Sequence, residues 1–464
     1  MERSPLRKLV LLATASLLAG CANFAPPHVR PALPTASAYP EPGDSVPGRR
    51  ATEVSLAQFL ADPRLEALVA QALQRNRDLA VAVARIEEAR GLYRIQNANR
   101  LPTLGGSGDV TISRQANDNG PETTTRSALG VAVTGFELDF WGRVRNLSDA
   151  ARSEYLATRQ AERAFRLSLV RDVASAYFAS READERIALA DATVQSRREA
   201  VRIAKRRLDA GVTSALDYRQ SESLLTQAET EAAGLRLARA QSDNLLAVLV
   251  GGPVAGPLPA PLPLAQQAAT PALAAGLPSE LLVARPDVLA AEERLRAARA
   301  NIGAARAAFF PRISLTGAAG FASTALGSLF SGDGLTWSFG PSISLPIFTG
   351  GRGRANLTVA EAREDIAVAT YEVTVQGAFR EVADALAGRQ YYARQVAAGS
   401  RGVAAARDIA RLARLRYNEG VASYLEVLDA ERTLFAAEQQ LIQLRRAQAD
   451  NLVALYVALG GGAT

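Results

Sequence analysis

Gly420-Val421-Ala422-Ser423-Tyr424-Leu425-Glu426 and, earlier, Gly211-Val212-Thr213-Ser214-Ala215-Leu216-Asp217 are two copies of one short turn, each set between long helical patterns. A glycine just past a helix end supplies the left-handed C′ conformation. A serine three residues on can cap the next helix, and an acid three beyond that completes a capping box. Each copy therefore reads as helix, tight turn, helix. The flanking helices are long. No proline occurs between Pro121 and Pro253 or after Pro346, and the helical pattern over about 144–210 amounts to roughly 100 Å of rod. Val173, Ser180, Ile187, Val194, Val201 and Leu208 recur every seven residues, as do Leu428, Phe435, Ile442, Ala449 and Tyr456. That period predicts coiled-coil packing. A second stripe on the last helix, Leu434, Leu441 and Leu455, predicts partners on both of its sides, as in the wall of a tube.

The two turns lie 209 residues apart, and so does most of what surrounds them: Pro102 maps to Pro311, Gly142-Arg143 to Gly351-Arg352, and Arg171-Asp172-Val173-Ala174 to Arg380-Glu381-Val382-Ala383. A constant offset marks an internal duplication. Each half reads as helix, β-hairpin, very long helix, tip, long helix. Repeat 1 spans 63–252, with its hairpin at about 103–140 and coiled-coil helices at about 144–250. Repeat 2 spans 279–462, with its hairpin at about 312–348 and helices at about 353–459. Between them the proline-rich linker 253–278 is expected to be neither helix nor central strand. In the second hairpin Ile313, Leu315, Gly317, Ala319 and Phe321, then Trp337, Phe339, Pro341, Ile343 and Leu345, alternate with small or polar residues. The first hairpin does the same over 104–112 and 129–135, around a polar loop expected at 115–126. Such strands have one oily and one wet face. Trp141 and Trp337 lie at or beside them, as an interfacial aromatic girdle would place them.

The first 20 residues combine a basic start with a short apolar run, which reads as a secretory signal. It ends at Cys21, the single cysteine, preceded by Leu18-Ala19-Gly20; this resembles a lipobox, which implies a lipidated Cys21 heading an extended tether over 21–62. The formal charge of +6 falls by two once Arg3, Arg7 and Lys8 are set against Glu2, and the rest is interleaved. That is a solvated helix face rather than a nucleic-acid groove. Beyond the signal no stretch is apolar for long enough to cross a bilayer as a helix, so a crossing must be made by β-structure.

Four strands cannot close a membrane barrel, since about eight are the usual minimum. An open sheet in lipid leaves edge groups unpaired at several kcal/mol each. Several chains sharing one barrel resolve this, and three would give twelve strands with room for a channel. The motifs Asn301-Ile302-Gly303-Ala304-Ala305-Arg306, Phe309-Phe310-Pro311, Leu345-Pro346-Ile347-Phe348 with Gly350-Gly351, and Glu137-Leu138-Asp139-Phe140-Trp141-Gly142-Arg143 resemble those of the outer-membrane efflux proteins. The resemblance is to the TolC-like group and within it the OprM/NodT-type lipoprotein branch, and it covers nearly everything from Cys21 onward. It implies a mainly α fold with a β-barrel part: a homotrimer whose 12-stranded β-barrel continues into a periplasmic α-helical barrel. It further implies an exit duct in the Gram-negative outer membrane and its lipid, served by a periplasmic adaptor (membrane fusion protein) and an inner-membrane transporter of the RND type.

The same resemblance puts a channel constriction on Leu425 and Asp429, with Glu426 as a further acid. Leu425 and Asp429 are four apart and share a helix face; in a trimer Asp429 would form a ring of three carboxylates, favouring cations and resisting full ionisation. The plainer reading is solvated helix acids, with Glu426 as the capping-box acid. Repeat 1 has Leu216 and Gln220 at the matching positions, an asymmetry that favours a specific role for Asp429. Adaptor docking is expected at the tips, Gly211, Val212, Ser214, Ala215, Gly420, Val421, Ser423 and Tyr424, of which Val212, Ala215, Val421 and Tyr424 have no capping duty. His28 is the only histidine, there is no P-loop, and Gly350-Gly351-Arg352-Gly353 lacks dinucleotide spacing. Catalysis and cofactors are therefore not expected. The competing functional class is a periplasmic coiled-coil scaffold or adaptor without a pore, which would lack amphipathic strands.

Overall fold

The computed structural model describes residues 23–39, 49–117, 120–267, 273–274, 285–330 and 332–461. The signal at 1–20, Cys21 and parts of the linker lie outside the described residues. Helix α1 (Pro63–Arg75) begins where Asp62 caps Pro63 at its first turn, and α2 (Arg77–Ala98) follows after Asn76. Strands β1 (Leu104–Asn117) and β2 (Gly120–Leu138) form the first hairpin and lead into α3 (Arg143–Asp209) and α4 (Ala215–Val250). The second repeat gives α5 (Pro286–Ala307), β3 (Arg312–Ser323), β4 (Leu335–Ser344), α6 (Arg352–Asn418) and α7 (Tyr424–Ala458). Both long helices, α3 and α6, have 67 residues, so the duplication is kept in length as well as in sequence. Among the described residues no helix is long and apolar enough to cross a membrane.

The chain forms two compact units. One comprises the described residues through Ala32 with Arg85–Arg159 and Ala290–Glu372; the other comprises Leu33–Ala84, Gln160–Leu289 and Val373 onward. In the first, the strands form one antiparallel sheet in the order β1-β2-β3-β4, leaving one edge of β1 and one edge of β4 unpaired. Register aligns the oily residues across all four strands: Leu129 faces Phe321, Val131 faces Ala319, Phe321 faces Leu335, and Ile313 faces Ile343. Thr336, Ser338, Gly340 and Ser342 of β4 take the opposite face, as the two-residue pleat requires. Gly135, at φ +63°, sits in an irregularity of β2 between Val133 and Phe136 and donates its N–H to Thr316 Oγ1 at 3.1 Å. The polar stretch 115–126, expected as a loop, is mostly ladder, with Gln115 opposite Glu122 and Ser113 opposite Thr124. Three threonines, 123–125, favour the extended backbone even where no apolar face directs it.

At the foot of the sheet Trp141 stacks on Phe310 at 4.9 Å and donates its indole N–H to the Pro311 carbonyl at 2.8 Å. It is thus a brace between α3 and α5 rather than a girdle residue; Trp337, 78% exposed, is free to fill that role. Phe24 stacks on the other side of Phe310 at 4.8 Å. A few residues on, His28 and Arg30 reach the buried Glu292 carboxylate of α5, at 3.0 and 3.1 Å. Burial alone would raise the Glu292 pKa, but the Arg30 and His28 hydrogen bonds and the Arg296 charge hold it below the usual carboxylate range.

In the second unit the later part of the expected tether is packed, not loose. Val54 and Phe59 are buried, and Tyr456 stacks on Phe59 at 4.2 Å while its hydroxyl donates to the Val54 carbonyl at 2.8 Å. Asp62, wholly buried, accepts from Tyr177 Oη at 2.5 Å, Gln267 Nε2 at 2.6 Å and the Leu262 N–H at 3.1 Å. The linker therefore differs from expectation. Its proline-free stretch forms one helical turn, Leu264–Gln267, and Leu273–Ala274 pairs in parallel with Arg49–Arg50.

Candidate functional site

The tips are built by local chemistry. Gly211 (φ +72°) and Gly420 (φ +74°) each end a long helix, and in both the next residue's N–H returns to the carbonyl five back: Val212 to Arg207 at 2.9 Å and Val421 to Arg416 at 3.0 Å. The glycines bond back as well, to Leu208 and Tyr417, completing a Schellman motif at both tips. In the first tip Ser214 and Asp217 form the expected capping box; hydrogen bonds from Thr213 and Ser214 hold the Asp217 pKa below its usual value. The second tip departs from expectation. Ser423 occupies the N-cap position without a side-chain bond, and Glu426 pairs instead with Arg416 on the preceding helix. A guanidinium brings a full opposite charge to the carboxylate, where a capping box would bring only a backbone N–H.

Val212, Leu216, Val421 and Leu425 are all more than half exposed. Ala215 is exposed too. Tyr424 is not the free docking residue expected. Its ring lies 5.1 Å from that of Tyr417 and against the buried Val427 and Ala430, and burial pushes its phenol pKa up. Above the tips α7 does touch two partners. Val427 and Ala430 pack on Ala410 and Ala413 of α6, while Phe435 packs on the α3–α4 seam of Ala190, Val194, Ala228 and Ala232. A ribbon of alternating charge ties α4, α3 and α7: Glu231 to Arg186 at 3.0 Å, Arg186 to Glu182 at 2.9 Å, Glu182 to Arg446 at 2.8 Å, and Arg446 to Asp450 at 3.3 Å. Burial pushes the Asp450 pKa up to about 6 against the opposing pull of Arg446. Sequence periodicity gave no sign of this ribbon, because its members are ordinary arginines and acids until three helices bring them together.

Leu425 and Asp429 share one face, and with Gln220, Leu428 and Arg432 they line a groove of about 200 Å³. The duplicated positions Gln220 and Asp429 therefore line one groove. Asp429 is not a bare carboxylate, because Arg432, one turn on, pairs with it at 2.5 Å. In a ring of several copies each Asp429 carboxylate would come with its own arginine.

A bare oily sheet, a duplicated unit and paired coiled coils ending in capped tips define the class: a membrane channel wall, which the scaffold alternative, without amphipathic strands, does not describe. The model of the outer membrane efflux protein family matches residues 68–252 and again 277–461. The toluene efflux pump outer membrane protein TtgI of Pseudomonas putida is 43% identical over 458 residues, 96% of either chain. Outer membrane protein OprJ of Pseudomonas aeruginosa is 41% identical over 464 residues, 98% of this chain and 97% of its own. The open state of the MtrE outer membrane channel of Neisseria gonorrhoeae superposes with a TM-score of 0.87 at 39% identity, over 95% of this chain and 99% of that one. The chain belongs to the outer membrane efflux protein family, and its fold is that of the TolC-like channels.

Proposed function

We propose that three copies of this chain form the exit duct of a tripartite efflux pump in the outer membrane of a Gram-negative cell. The duct passively conducts small molecules received from a periplasmic adaptor and an inner-membrane transporter of the RND type. The sheet carries this reading: Leu104, Ile112, Trp337, Phe339 and Ile343 are each more than 60% exposed on one face, and two strand edges are open. In water such a face would be a liability; in lipid, closed by further copies, it is a barrel wall.

Cys21 is the lipidation site in this reading. It lies three residues before Phe24, which stacks on Phe310 where strands and helices meet. Gly211, Val212, Ser214 and Ala215 with Gly420, Val421 and Ser423 form the adaptor-facing tips, and Tyr424 supports them from within. Leu425, Glu426 and Asp429 belong to the constriction just above.

Purified wild-type protein in planar bilayers is expected to give small unitary conductance steps, and Leu425→Ala with Asp429→Ala to enlarge them several-fold. Unchanged steps would remove the constriction from these residues. A wild-type protein that forms no pore would remove the duct.

A further inference from the structure

Two arginines among the described residues are buried, Arg285 and Arg197, and their surroundings differ. Arg285 has two carboxylates within reach, Asp287 at 2.6 Å and Glu381 at 2.7 Å. Arg197 of α3, only 7% exposed, pairs with no acid among the described residues. One of its N–H groups donates to the Leu224 carbonyl of α4 at 2.7 Å, and its guanidinium carbon lies 5.9 Å from the centre of the Phe435 ring of α7. A neutral carbonyl and a ring face offset only part of the cost of taking a full charge out of water. Burial accordingly pushes the Arg197 pKa down. Packing does not call for the charge. The duplicate of Arg197 on α6, 209 residues on, is Ala406, which is buried too.

Arg197 stands in the wall of a groove of about 520 Å³ between α3, α6 and α7. That volume suits a small molecule. All of the lining comes from one chain and one compact unit, and none of it belongs to the tips or to the groove of Leu425 and Asp429. Ala410, Leu415, Leu434 and Phe435 make its apolar part. Arg407, Arg411 and Arg414 stand at its rim, their side chains each more than half exposed. The two acids of the lining are already engaged, Glu438 by Arg407 at 2.6 Å and Glu431 by Arg414. Arg411 has Asp408 at 3.6 Å. Among the described residues of the lining, the charge left without a counter-ion is therefore that of Arg197.

We propose that this groove binds a small organic anion, a carboxylate or sulfonate of single charge, with its head on Arg197 and its apolar body against Leu434 and Phe435. A guanidinium presents its donors in one plane, which suits a head group with two or more oxygens. An apolar wall with one placed charge is how small-molecule sites are commonly built. A single charge is specified because Glu431 and Glu438 share the lining and repel a second. An inorganic anion would leave the apolar wall uncovered. The site goes beyond the exit-duct reading and stands whether or not the chain conducts.

The test uses the full chain in lipid nanodiscs, assembled at its native mass, with naphthalenesulfonate as the probe and uncharged naphthol as its control. Binding is read by titration calorimetry with empty nanodiscs subtracted. The sulfonate should bind saturably, and naphthol at least about tenfold more weakly, the worth of a charge-assisted hydrogen bond. Arg197→Ala, which installs the residue of the second repeat, should weaken the sulfonate by a similar factor and leave naphthol unchanged. Ser196→Asp alters an exposed position of the same lining and should also weaken the sulfonate, should Arg197→Ala fail to assemble. Sulfonate binding unchanged in the variants, or naphthol bound as tightly as the sulfonate, overturns the site. So does the absence of saturable binding to the assembled wild type, which would leave Arg197 to an acidic side chain of a partner protein. Conductance is not read here, so each of these failures leaves the duct standing.

Discussion

Asp450 and Glu292 are both carboxylates with arginine neighbours, yet their surroundings send them in opposite directions. Glu292 is held below the usual range by Arg30, His28 and Arg296 in spite of burial, so the stability it contributes is present at neutral pH and is lost as pH falls through its lowered pKa. Asp450, with Arg446 beside it and Glu182 across the seam on α3, is pushed up to about 6, so the folded chain binds a proton there that the unfolded chain has already lost. Its contribution therefore declines as pH rises from the unfolded value toward about 6. Asp450→Asn is expected to raise the melting temperature at pH 8, with a clearly smaller gain at pH 5 as the folded carboxyl takes up its proton. An equal gain at both pH values, read by thermal denaturation, would assign the effect to packing instead. At this scale the sequence was legible only where partners are near neighbours. Ser214 and Asp217 announce their capping box because three residues separate them. Glu426 finds Arg416 across a turn, and Phe24, Phe310 and Trp141 meet only after folding.

Among the elements, the long helices were the most legible, since a seven-residue stripe over ten turns leaves few alternatives. Val173, Ala449 and Tyr456 of those stripes are buried as the period demands, and α7 has its two sides. Strand ends were less legible: threonines extended the first hairpin through 115–126, and one proline-free stretch gave the linker a helical turn. The tips combine both cases. Their glycines are fixed by a positive φ, while the side chains of Val212 and Val421, whose backbone N–H groups close the motif, remain bare. Val212→Glu with Val421→Glu should leave the assembled mass unchanged and abolish cross-linking to the adaptor. If the variant loses its assembled mass, the valines hold the tip together instead of presenting it to a partner.

At the scale of the whole molecule, one chain supplies four strands with a shared oily face, and neither edge of that sheet is closed. Lipid tolerates no open edge, and four strands are too few to curl shut. The number of chains was legible only as this arithmetic. The direct measurement is the native mass of the protein extracted in mild detergent, with bound detergent subtracted. Three chains per particle is the expected value. A stable particle holding one chain, with its sheet still formed, would contradict the shared barrel.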